Sequence, residues 1–194
     1  MILGITGGLG CGKSTAAQLF ERRGFKRIDS DALVREQVLT SPSVVEALRV
    51  RFGSPVIDGQ GRVDRAALAA KVFADESELR WLEQLTHPLV LALWREALAA
   101  APKARWVVEV PLLFEQSLEN WFDFTVCVAC SPDLQLVRLE QRGLSRSLAG
   151  QRISKQLPLA RKIELSDFVL WNEGSADFLQ DEVDTLVDSL PAAP

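Results

Sequence analysis

The residues best suited to chemistry in this sequence form a glycine-rich run near the amino terminus that ends in lysine and serine. Residues 7–15 read GGLGCGKST and fit the pattern G-x-x-x-x-G-K-[ST]. In that pattern backbone N–H groups cradle phosphate oxygens, the lysine (Lys13) reaches the outer phosphates, and the serine hydroxyl (Ser14) binds Mg²⁺. Glycines let the main chain approach a phosphate without Cβ clashes. The run therefore predicts a phosphate-binding loop.

The segments on either side of this loop are those that its chemistry requires. Residues 2–5 form an apolar run typical of a buried strand, and residues 16–23 have helical spacing with Leu19 and Phe20 on the inner side. A loop between a strand and a helix directs the helix N-terminus at a bound anion. The alternative is a glycine-rich turn with a chance Gly-Lys-Ser, and the order of strand, loop and helix argues against it.

Two aspartates follow the second predicted strand. Residues 25–28 are predicted to form that strand, Asp29 and Asp31 come next, and a helix is predicted over residues 32–39. Open α/β sheets bind ligands at the carboxyl ends of their strands. In extended chain, residues two apart point to the same face, so both carboxylates could reach the crevice above the loop. Capping of the following helix is the alternative function.

The middle of the chain has helical patterns and no strand signal. Helices are predicted over residues 43–52, over about 65–73 with Asp64 as N-cap, over 76–85 and over 89–101, with a break at Thr86-His87-Pro88. The strand-free stretch is long for one crossover of a parallel sheet. We therefore predict one domain over residues 1–194 that contains a helical insertion at about residues 40–103.

Strand patterns return in the last half of the sequence. Valine-rich runs at residues 106–110 and 124–129 predict parallel strands buried on both faces, and residues 168–171 predict a last strand that ends at Asn172. Helices are predicted over residues 132–141 and 176–190, and the final Pro-Ala-Ala-Pro is predicted to be disordered. Glu109 has two open interpretations: an acid linked to a bound metal, or an acid that pairs with a buried cation. Together these patterns predict an α/β fold.

A strongly basic segment lies between two of these elements. Residues 138–162 contain seven cations against one acid, a charge of +6 in a chain whose net charge is −4. The cations are Arg138, Arg142, Arg146, Arg152, Lys155, Arg161 and Lys162. Arginines on a closing segment stabilise the charge that develops during phosphoryl transfer and exclude water. We interpret the segment as a lid, and a solvated basic hairpin is the alternative.

Composition sets wider bounds on the function. The acidic net charge argues against general nucleic-acid binding, and no apolar run reaches membrane-spanning length, so we expect a cytoplasmic protein. The three cysteines are Cys11, Cys127 and Cys130. Cys127 and Cys130 point to opposite faces of a strand, and no second Cys/His pair exists, so we expect reduced thiols without zinc. Lys13 and the helix N-terminus are expected to lower the pKa of Cys11.

The sequence resembles the dephospho-CoA kinase family from residue 3 to about residue 174. The resemblance rests on the phosphate loop, the Asp29-Ser30-Asp31 triplet, Thr86-His87-Pro88-Leu89-Val90, and Val110-Pro111-Leu112-Leu113-Phe114-Glu115. It also rests on Gln135 with Arg138 and Arg142, on Arg152-Ile153-Ser154-Lys155-Gln156, and on Ser166-Asp167 through Asn172. The aspartate pair and the Pro-Leu-Leu-Phe-Glu run make the match far more specific than the loop alone.

The resemblance implies a P-loop NTPase fold, a three-layer sandwich with a parallel sheet, a helical substrate-binding insertion and a basic lid. It implies transfer of a phosphoryl group from ATP, with Mg²⁺, to the ribose 3′-hydroxyl of dephospho-CoA, the last step of coenzyme A synthesis. Asp31 would be the base, with Asp29 beside it, and His87 would lie in the wall of the dephospho-CoA side. Ser14 would also bind the metal, Asn172 would lie near the adenine of ATP, and Arg138 and Arg142 would be cations of the lid. The residues implied to bind the ATP phosphates are Gly10, Cys11, Gly12, Lys13, Ser14 and Thr15.

Three departures and three rival functions remain open at the sequence level. Cys11 stands where the family usually has serine, Ser166 where it has alanine, and Trp171 where it has a small or polar residue. His87 has the alternative of a packed or capping residue at a helix break. The rivals are another nucleotide or small-molecule kinase, a GTPase-like switch, which would need an Asn-Lys-x-Asp motif that the sequence lacks, and a motor or helicase. The oligomeric state is not predicted.

Overall fold

The computed structural model describes residues 1–191, and its named strands form one five-stranded parallel sheet. The strands are β1 (Ile2–Gly7), β2 (Lys26–Asp29), β3 (Trp106–Glu109), β4 (Phe124–Ala129) and β5 (Phe168–Trp171), in the spatial order β2-β3-β1-β4-β5. Every neighbouring pair is parallel. β1 is central, so the loop that follows it lies at the middle of the sheet's carboxyl edge. The predicted α/β fold with a parallel sheet is confirmed.

Helices connect these strands and also make up the long strand-free stretch. The α-helices of the described residues are α1 (Lys13–Arg22), α2 (Ser30–Leu33), α3 (Pro42–Phe52), α4 (Arg65–Val72), α5 (Glu76–Ala100), α6 (Pro132–Gln141), α7 (Arg146–Ser154), α8 (Leu159–Leu165) and α9 (Ala176–Ser189). A π-helical segment, Val34–Val38, continues α2, and 3-10 turns form at Ser54–Val56 and Glu119–Trp121. Residues 54–63 otherwise form a loop closed by a single bridge between Ile57 and Val63.

The chain divides into two compact units. One unit comprises Met1–Asp29 and the chain from Pro102 onward, and it contains the whole sheet; the other is the helical stretch Ser30–Ala101. The assignment of the helical stretch as a substrate-binding insertion stays a prediction.

The core of the sheet-containing unit lies between the sheet and helices α1 and α9. Side chains from β1, α1 and α9 that are 5% exposed or less meet there, among them Leu3, Phe20, Leu179 and Val183. The four residues predicted to face inward from the closing helix are all buried: Val183, Leu186, Val187 and Leu190. Burying a side chain of this size stabilises the fold by about 1.5–3 kcal/mol. This packing fixes α1, and hence the end of the phosphate loop, against the sheet.

The predicted helix break at residues 86–88 is wrong. Helix α5 runs without interruption for 25 residues with Pro88 inside it. Its buried residues are Thr86, Val90 and Trp94, which are spaced four apart and therefore lie on one face across the proline. This continuous buried face holds the helix together although proline removes one backbone hydrogen bond. Packing has overridden the local signal.

Smaller differences concern chain positions near element ends. Asp64 caps α4 as predicted, since its Oδ1 accepts hydrogen bonds from the N–H groups of Ala66 and Ala67, both at 3.0 Å. Phe73 follows the last residue of α4 and is 55% exposed, although its spacing had placed it with the inward residues.

No helix among the described residues could span a membrane. The disorder predicted for the final Pro-Ala-Ala-Pro stays a prediction, since Pro191 is exposed beyond α9 and residues 192–194 lie outside the described residues.

Candidate active site

The phosphate loop ends in a helix whose N-terminus has no side-chain cap. β1 ends at Gly7, and α1 begins at Lys13 after Gly12, which adopts a left-handed conformation with φ 96°. Gly10 also has a positive φ of 83°, a conformation that costs a residue with a Cβ atom free energy. The first N–H groups of a helix have no intrahelical partner. With no side chain capping them, those of α1 are left to bind an anion.

Two amide side chains hold the loop in this shape. Asn172 Nδ2 donates to the Cys11 carbonyl at 2.9 Å, and Gln135 Nε2 donates to the Leu9 carbonyl at 2.8 Å. A Cβ atom on Gly12 would lie 2.2 Å from Asn172 Nδ2, and one on Gly8 would lie 2.3 Å from Gln135 Nε2. These glycines are therefore required for the amides to approach. Gln135 was predicted to matter only through the family resemblance, whereas Asn172 was also predicted to end the last strand.

The loop lysine lies back over the loop. Lys13 Nζ donates to the carbonyl oxygens of Gly7 at 3.2 Å and Gly8 at 3.0 Å. These contacts hold a positive charge beside the N–H groups of α1, where the two favourable effects on an anion add. A bound phosphate would replace weak carbonyl contacts with a charge-assisted one.

A buried acid contacts the hydroxyl of Ser14. Ser14 Oγ donates to Glu109 Oε2 at 2.8 Å, and Arg27 Nε donates to Glu109 Oε1 at 2.7 Å. The Glu109 side chain is 6% exposed, so its charge needs the cation beside it. Arg27 Nη2 also lies 3.4 Å from Asp29 Oδ2. The interpretation of Glu109 as an acid that pairs with a buried cation is confirmed, and its link to a metal through Ser14 stays a prediction. Arg27 was not predicted to be a site residue.

The two aspartates of the predicted acceptor site differ in local structure. Asp29 is the last residue of β2 and is aligned with Glu109 of β3, at the carboxyl edge of the sheet. Asp31 lies in the first turn of α2, so the expectation that both occupy extended chain and share a face is wrong. A carboxylate is favoured in the first turn of a helix by the helix dipole, which explains why helix begins so soon after the strand. Asp31 itself is exposed.

The described cysteines are free and buried, and two of them touch. The Cys130 thiol donates to Cys11 Sγ, with 3.5 Å between the sulfurs. This hydrogen bond is the largest cause that lowers the pKa of Cys11, to about 7, and the charge of Lys13 adds to it against the opposing effect of burial. The contact and burial raise the pKa of Cys130. Burial raises the pKa of Cys127 to about 12. The predicted direction for Cys11 is confirmed, but its main cause is a cysteine 119 residues away.

The seven cations of residues 138–162, which we call the basic segment, fall into two groups. Five of them are exposed: Arg142, Arg146, Arg152, Lys155 and Arg161. Arg138 is half-buried, and its Nη2 donates to the Asn172 backbone oxygen at 3.1 Å and to Oδ1 at 3.3 Å. Lys162 is fully buried and pairs with Glu115. Arg138 and Lys162 are thus held by contacts with Asn172 and Glu115, whereas the other five cations are exposed. The interpretation of the segment as a lid stays a prediction.

His87 lies in the middle of α5 in the helical unit. The side chain is partly exposed, and the residue neither caps nor ends a helix, since α5 continues through it. Its predicted contact with dephospho-CoA stays a prediction.

The site fits a nucleoside triphosphate with its metal. No group of three or more metal-ligating side chains occurs among residues 1–191, so a metal would need other ligands. Mg²⁺ keeps several waters and binds through few protein oxygens together with substrate phosphates, and Ser14 Oγ supplies such an oxygen. Arg138 Nη1 is buried and has no hydrogen-bond partner within the described chain, so this N–H group can donate to a ligand oxygen.

A central phosphate loop on a parallel sheet, with lysine, serine and an uncapped helix, defines a P-loop nucleotide-binding protein. The family model for dephospho-CoA kinase matches residues 1–177. The chain belongs to the dephospho-CoA kinase family, a family of ATP-dependent phosphotransferases. The resemblance inferred from the sequence is confirmed.

Individual relatives agree with this assignment. The chain is 42% identical over 184 residues to dephospho-CoA kinase of Thermosynechococcus vestitus, which covers 94% of this chain and 91% of that one. A solved Thermus thermophilus structure has 35% identity and a TM-score of 0.86 and covers 99% of this chain and 98% of that one. Dephospho-CoA kinase from Campylobacter jejuni has a TM-score of 0.70, with 24% identity and 96% and 95% coverage. At that identity the last match supports the fold alone.

Proposed function

We propose that this chain transfers the γ-phosphoryl group of ATP to the ribose 3′-hydroxyl of dephospho-CoA, giving coenzyme A and ADP. The observation that carries the proposal is the loop geometry at the start of α1, where an uncapped helix N-terminus and the Lys13 ammonium converge. Membership of the family supplies the acceptor. Another P-loop nucleotide or small-molecule kinase is the alternative function, and no specific contact in the structure favours it.

ATP phosphates are bound by the loop. The backbone N–H groups of residues 10–15 surround the phosphates, and Lys13 moves from its carbonyl contacts onto the outer phosphate oxygens. Asn172 keeps the loop in its shape through the Cys11 carbonyl, and its proposed place near the adenine of ATP adds to that function. The resulting site stabilises the charge of the transferred group without covalent chemistry.

Mg²⁺ is the metal that we assign to the site, with Ser14 Oγ as its protein ligand. Held there by Ser14 Oγ, the ion would neutralise charge that develops on the phosphates. Glu109 accepts the Ser14 proton in a hydrogen bond, which turns an oxygen lone pair away from the acid and leaves it free for a cation. Arg27 holds Glu109 in that orientation.

Asp31 is the proposed base that orients the acceptor hydroxyl and accepts its proton, and Asp29 supports acceptor binding. We assign recognition of dephospho-CoA to the helical unit, with His87 among its contacts. Arg142 is the lid cation that we expect on the transferred phosphoryl group, and Arg138 acts from its place beside Asn172. The cytoplasmic location expected from the sequence stays a prediction.

The decisive experiment incubates the purified chain with ATP, Mg²⁺ and dephospho-CoA and identifies the products by mass spectrometry. We expect coenzyme A and ADP in equal amounts. A dephospho-CoA analogue without the ribose 3′-hydroxyl should not react, whereas one without the 2′-hydroxyl should react, because only the first removes the acceptor. Phosphorylation of AMP or shikimate in preference to dephospho-CoA would instead support the alternative kinase.

The proposed base is tested by Asp31→Asn. Loss of a general base lowers rates by about 10²–10⁴-fold, so we expect kcat to fall by that order while the dissociation constant for ATP changes little. Asp29→Asn is the comparison variant and should have the smaller effect, since Asp29 already lies beside Arg27. Steady-state kinetics and calorimetric ATP binding measure both quantities. Unchanged turnover of Asp31→Asn would remove Asp31 from the mechanism.

A further inference from the structure

The two ends of the basic segment contrast with its middle. The segment begins at Arg138 and ends at Lys162, which are the two cations among the seven that are not exposed. Lys162 is the extreme case, with a side chain that is 0% exposed. A buried ammonium group is costly unless charge and hydrogen bonds compensate it. Its partners therefore show what this lysine does.

Both partners of Lys162 belong to the loop that follows β3. Lys162 Nζ lies 2.9 Å from Glu115 Oε1 and donates to the Pro111 carbonyl at 2.7 Å. Glu115 Oε1 also accepts a hydrogen bond from the backbone N–H of Leu157 at 2.9 Å. One carboxylate oxygen thus joins the turn before α8 and the α8 lysine to residues 111–115. These contacts define the anchor of the basic segment.

The anchored loop leads directly to the phosphate site. Pro111 lies two residues after Glu109, the last residue of β3, and Glu109 accepts a hydrogen bond from the Ser14 hydroxyl. The Pro111 carbonyl that receives Lys162 also lies 3.4 Å from Thr6 Oγ1, one residue before the phosphate loop begins. The end of the basic segment at Lys162 therefore contacts the same short stretch of backbone that positions Ser14, the proposed metal ligand.

Stability alone does not account for such a pair. Replacing a buried ion pair by well-packed apolar residues of similar volume is often neutral or stabilising. What an ion pair with fixed hydrogen bonds adds is geometry, because the ammonium and the carboxylate must meet in one arrangement. Here that arrangement joins α8 and the turn at Leu157 to the loop after β3, and α7, with Arg146 and Arg152, directly precedes that turn in the chain.

We propose that Lys162 and Glu115 are positioning residues that anchor the basic segment, so that its exposed arginines approach the phosphate loop from one fixed base. The proposal deepens the assigned kinase function and rests on it for its kinetic prediction. It divides the basic segment into anchoring cations, which stay in place, and exposed cations, which move to the nucleotide. Neither residue touches the reacting atoms in this account.

The central variant is the double substitution K162M/E115L, which removes both charges together. Glu115→Leu alone would leave the buried Lys162 ammonium without its carboxylate and destabilise the chain, so the double variant keeps the test valid. We expect it to fold, to bind ATP within about twofold of the wild type and to lose about 10–100-fold in kcat, the order that small misplacements of catalytic groups cost. Lys162→Arg should retain most of the activity, because guanidinium can still reach Glu115. Lys103→Met, at an exposed lysine before β3, is the matched control for loss of a lysine.

A second measurement does not depend on the reaction. Trypsin cleavage after Arg152 is followed by mass spectrometry with and without ATP. In the wild type we expect ATP to slow this cleavage; in K162M/E115L cleavage should be faster and its protection by ATP largely lost, with Lys162→Arg close to wild type. This readout stands even if dephospho-CoA proves not to be the acceptor.

The outcomes separate the two proposals. If the wild type makes no coenzyme A but shows the cleavage pattern above, the assigned acceptor is wrong and the anchor stands. If the folded double variant keeps wild-type kcat and wild-type protection at Arg152, the pair only fills space and the anchor is refuted. If the double variant loses folding stability with unchanged kcat in its folded fraction, the pair is structural and the proposal is likewise overturned.

Discussion

The phosphate loop and the basic segment both carry groups that bind phosphate, and their side chains are held very differently. In the loop, Lys13 contacts two backbone carbonyls, and two amides from distant elements fix the main chain. In the basic segment, five of seven cations are exposed, and Arg146 makes only long ion pairs of 3.8 and 3.9 Å. Exposed pairs of that kind contribute little to stability.

The two regions therefore differ in how much of the free energy of ligand binding must be spent on ordering the protein. The loop was ordered when the protein folded, so a phosphate that binds there need not order it again. The exposed arginines must still lose side-chain freedom before they can contact a nucleotide. Substitutions in the loop should therefore weaken ATP binding and the rate together, whereas substitutions in the basic segment should mainly lower the rate.

The largest effect is expected from Lys13→Ala. It removes the fixed positive charge beside the first N–H groups of α1, and loss of one such preorganised group lowers kcat by about 10²–10³-fold. The dissociation constant for ATP should rise as well, because the same charge attracts the ground-state phosphates. Steady-state kinetics and isothermal calorimetry measure the two effects. A Lys13→Ala variant that binds ATP normally would contradict the description of the loop as the ordered half of the site.

The next effect tests the other half of the comparison. Arg142→Gln removes an exposed cation of the basic segment, and we expect kcat to fall by about 10–100-fold with an ATP dissociation constant within about threefold of the wild type. Arg22→Gln, at the exposed end of α1, controls for loss of a surface arginine and should change neither quantity. Equal losses of ATP binding and kcat for Arg142→Gln would mean that this arginine is already placed before closure.

The same contrast explains how much of the molecule could be predicted from its sequence. The strands, the phosphate loop and α1 follow from local patterns: continuous valine-rich runs and a contiguous motif with lysine and serine. The amides that hold the loop could not be predicted from patterns, because the Gln135–Leu9 contact spans 126 residues. The Cys11–Cys130 contact and the burial of Lys162 could not be predicted from patterns either, because each depends on which distant elements the sheet brings together.

Errors in the sequence-based prediction also had physical causes. Pro88 is a strong local signal for the end of a helix, but a buried face that continues across it keeps α5 intact. The basic segment was interpreted as one lid because its charges look alike in the sequence, and that interpretation stays a prediction. Only the positions of Asn172 and Glu115 in the fold distinguish Arg138 and Lys162 from the exposed arginines.

A smaller effect, on metal dependence, is expected from Glu109→Gln. The carboxylate accepts the Ser14 hydroxyl proton, and loss of a partner that orients a metal ligand costs about 10–100-fold in metal affinity. We place this change at the lower end, because the glutamine oxygen can still accept that hydrogen bond. The Mg²⁺ concentration for half-maximal activity should therefore rise about tenfold, while calorimetric binding of metal-free ATP stays the same. Glu109→Asp keeps the charge for Arg27 and separates loss of charge from loss of position.

The smallest effect concerns the thiol pair beneath the loop and appears in stability. The pKa of Cys11 lies at about 7, below its usual value, mainly because Cys130 donates a hydrogen bond to its sulfur. A lowered pKa means that the folded state favours the thiolate. The stabilising contribution is therefore absent below pH 7, grows as pH rises from about 7 to 9, and is lost again as pH falls through the folded pKa. Its size is about 1–3 kcal/mol at pH 9.

Chemical denaturation of the wild type and of Cys11→Ser at pH 6 and pH 9 measures this contribution. We expect the difference in free energy of unfolding between the two proteins to grow by about 1–3 kcal/mol at the higher pH. Cys127→Ser is the matched control: the pKa of Cys127 is raised to about 12, so only its unfolded thiol ionises near pH 9, and its effect should be small and opposite in sign to that of Cys11→Ser. A difference that is constant between the two pH values would show that Cys11 stays protonated. The charge of Lys13 at the phosphate loop would then act on an anion without an opposing thiolate, and the loop would attract anions more strongly than it would beside an ionised Cys11.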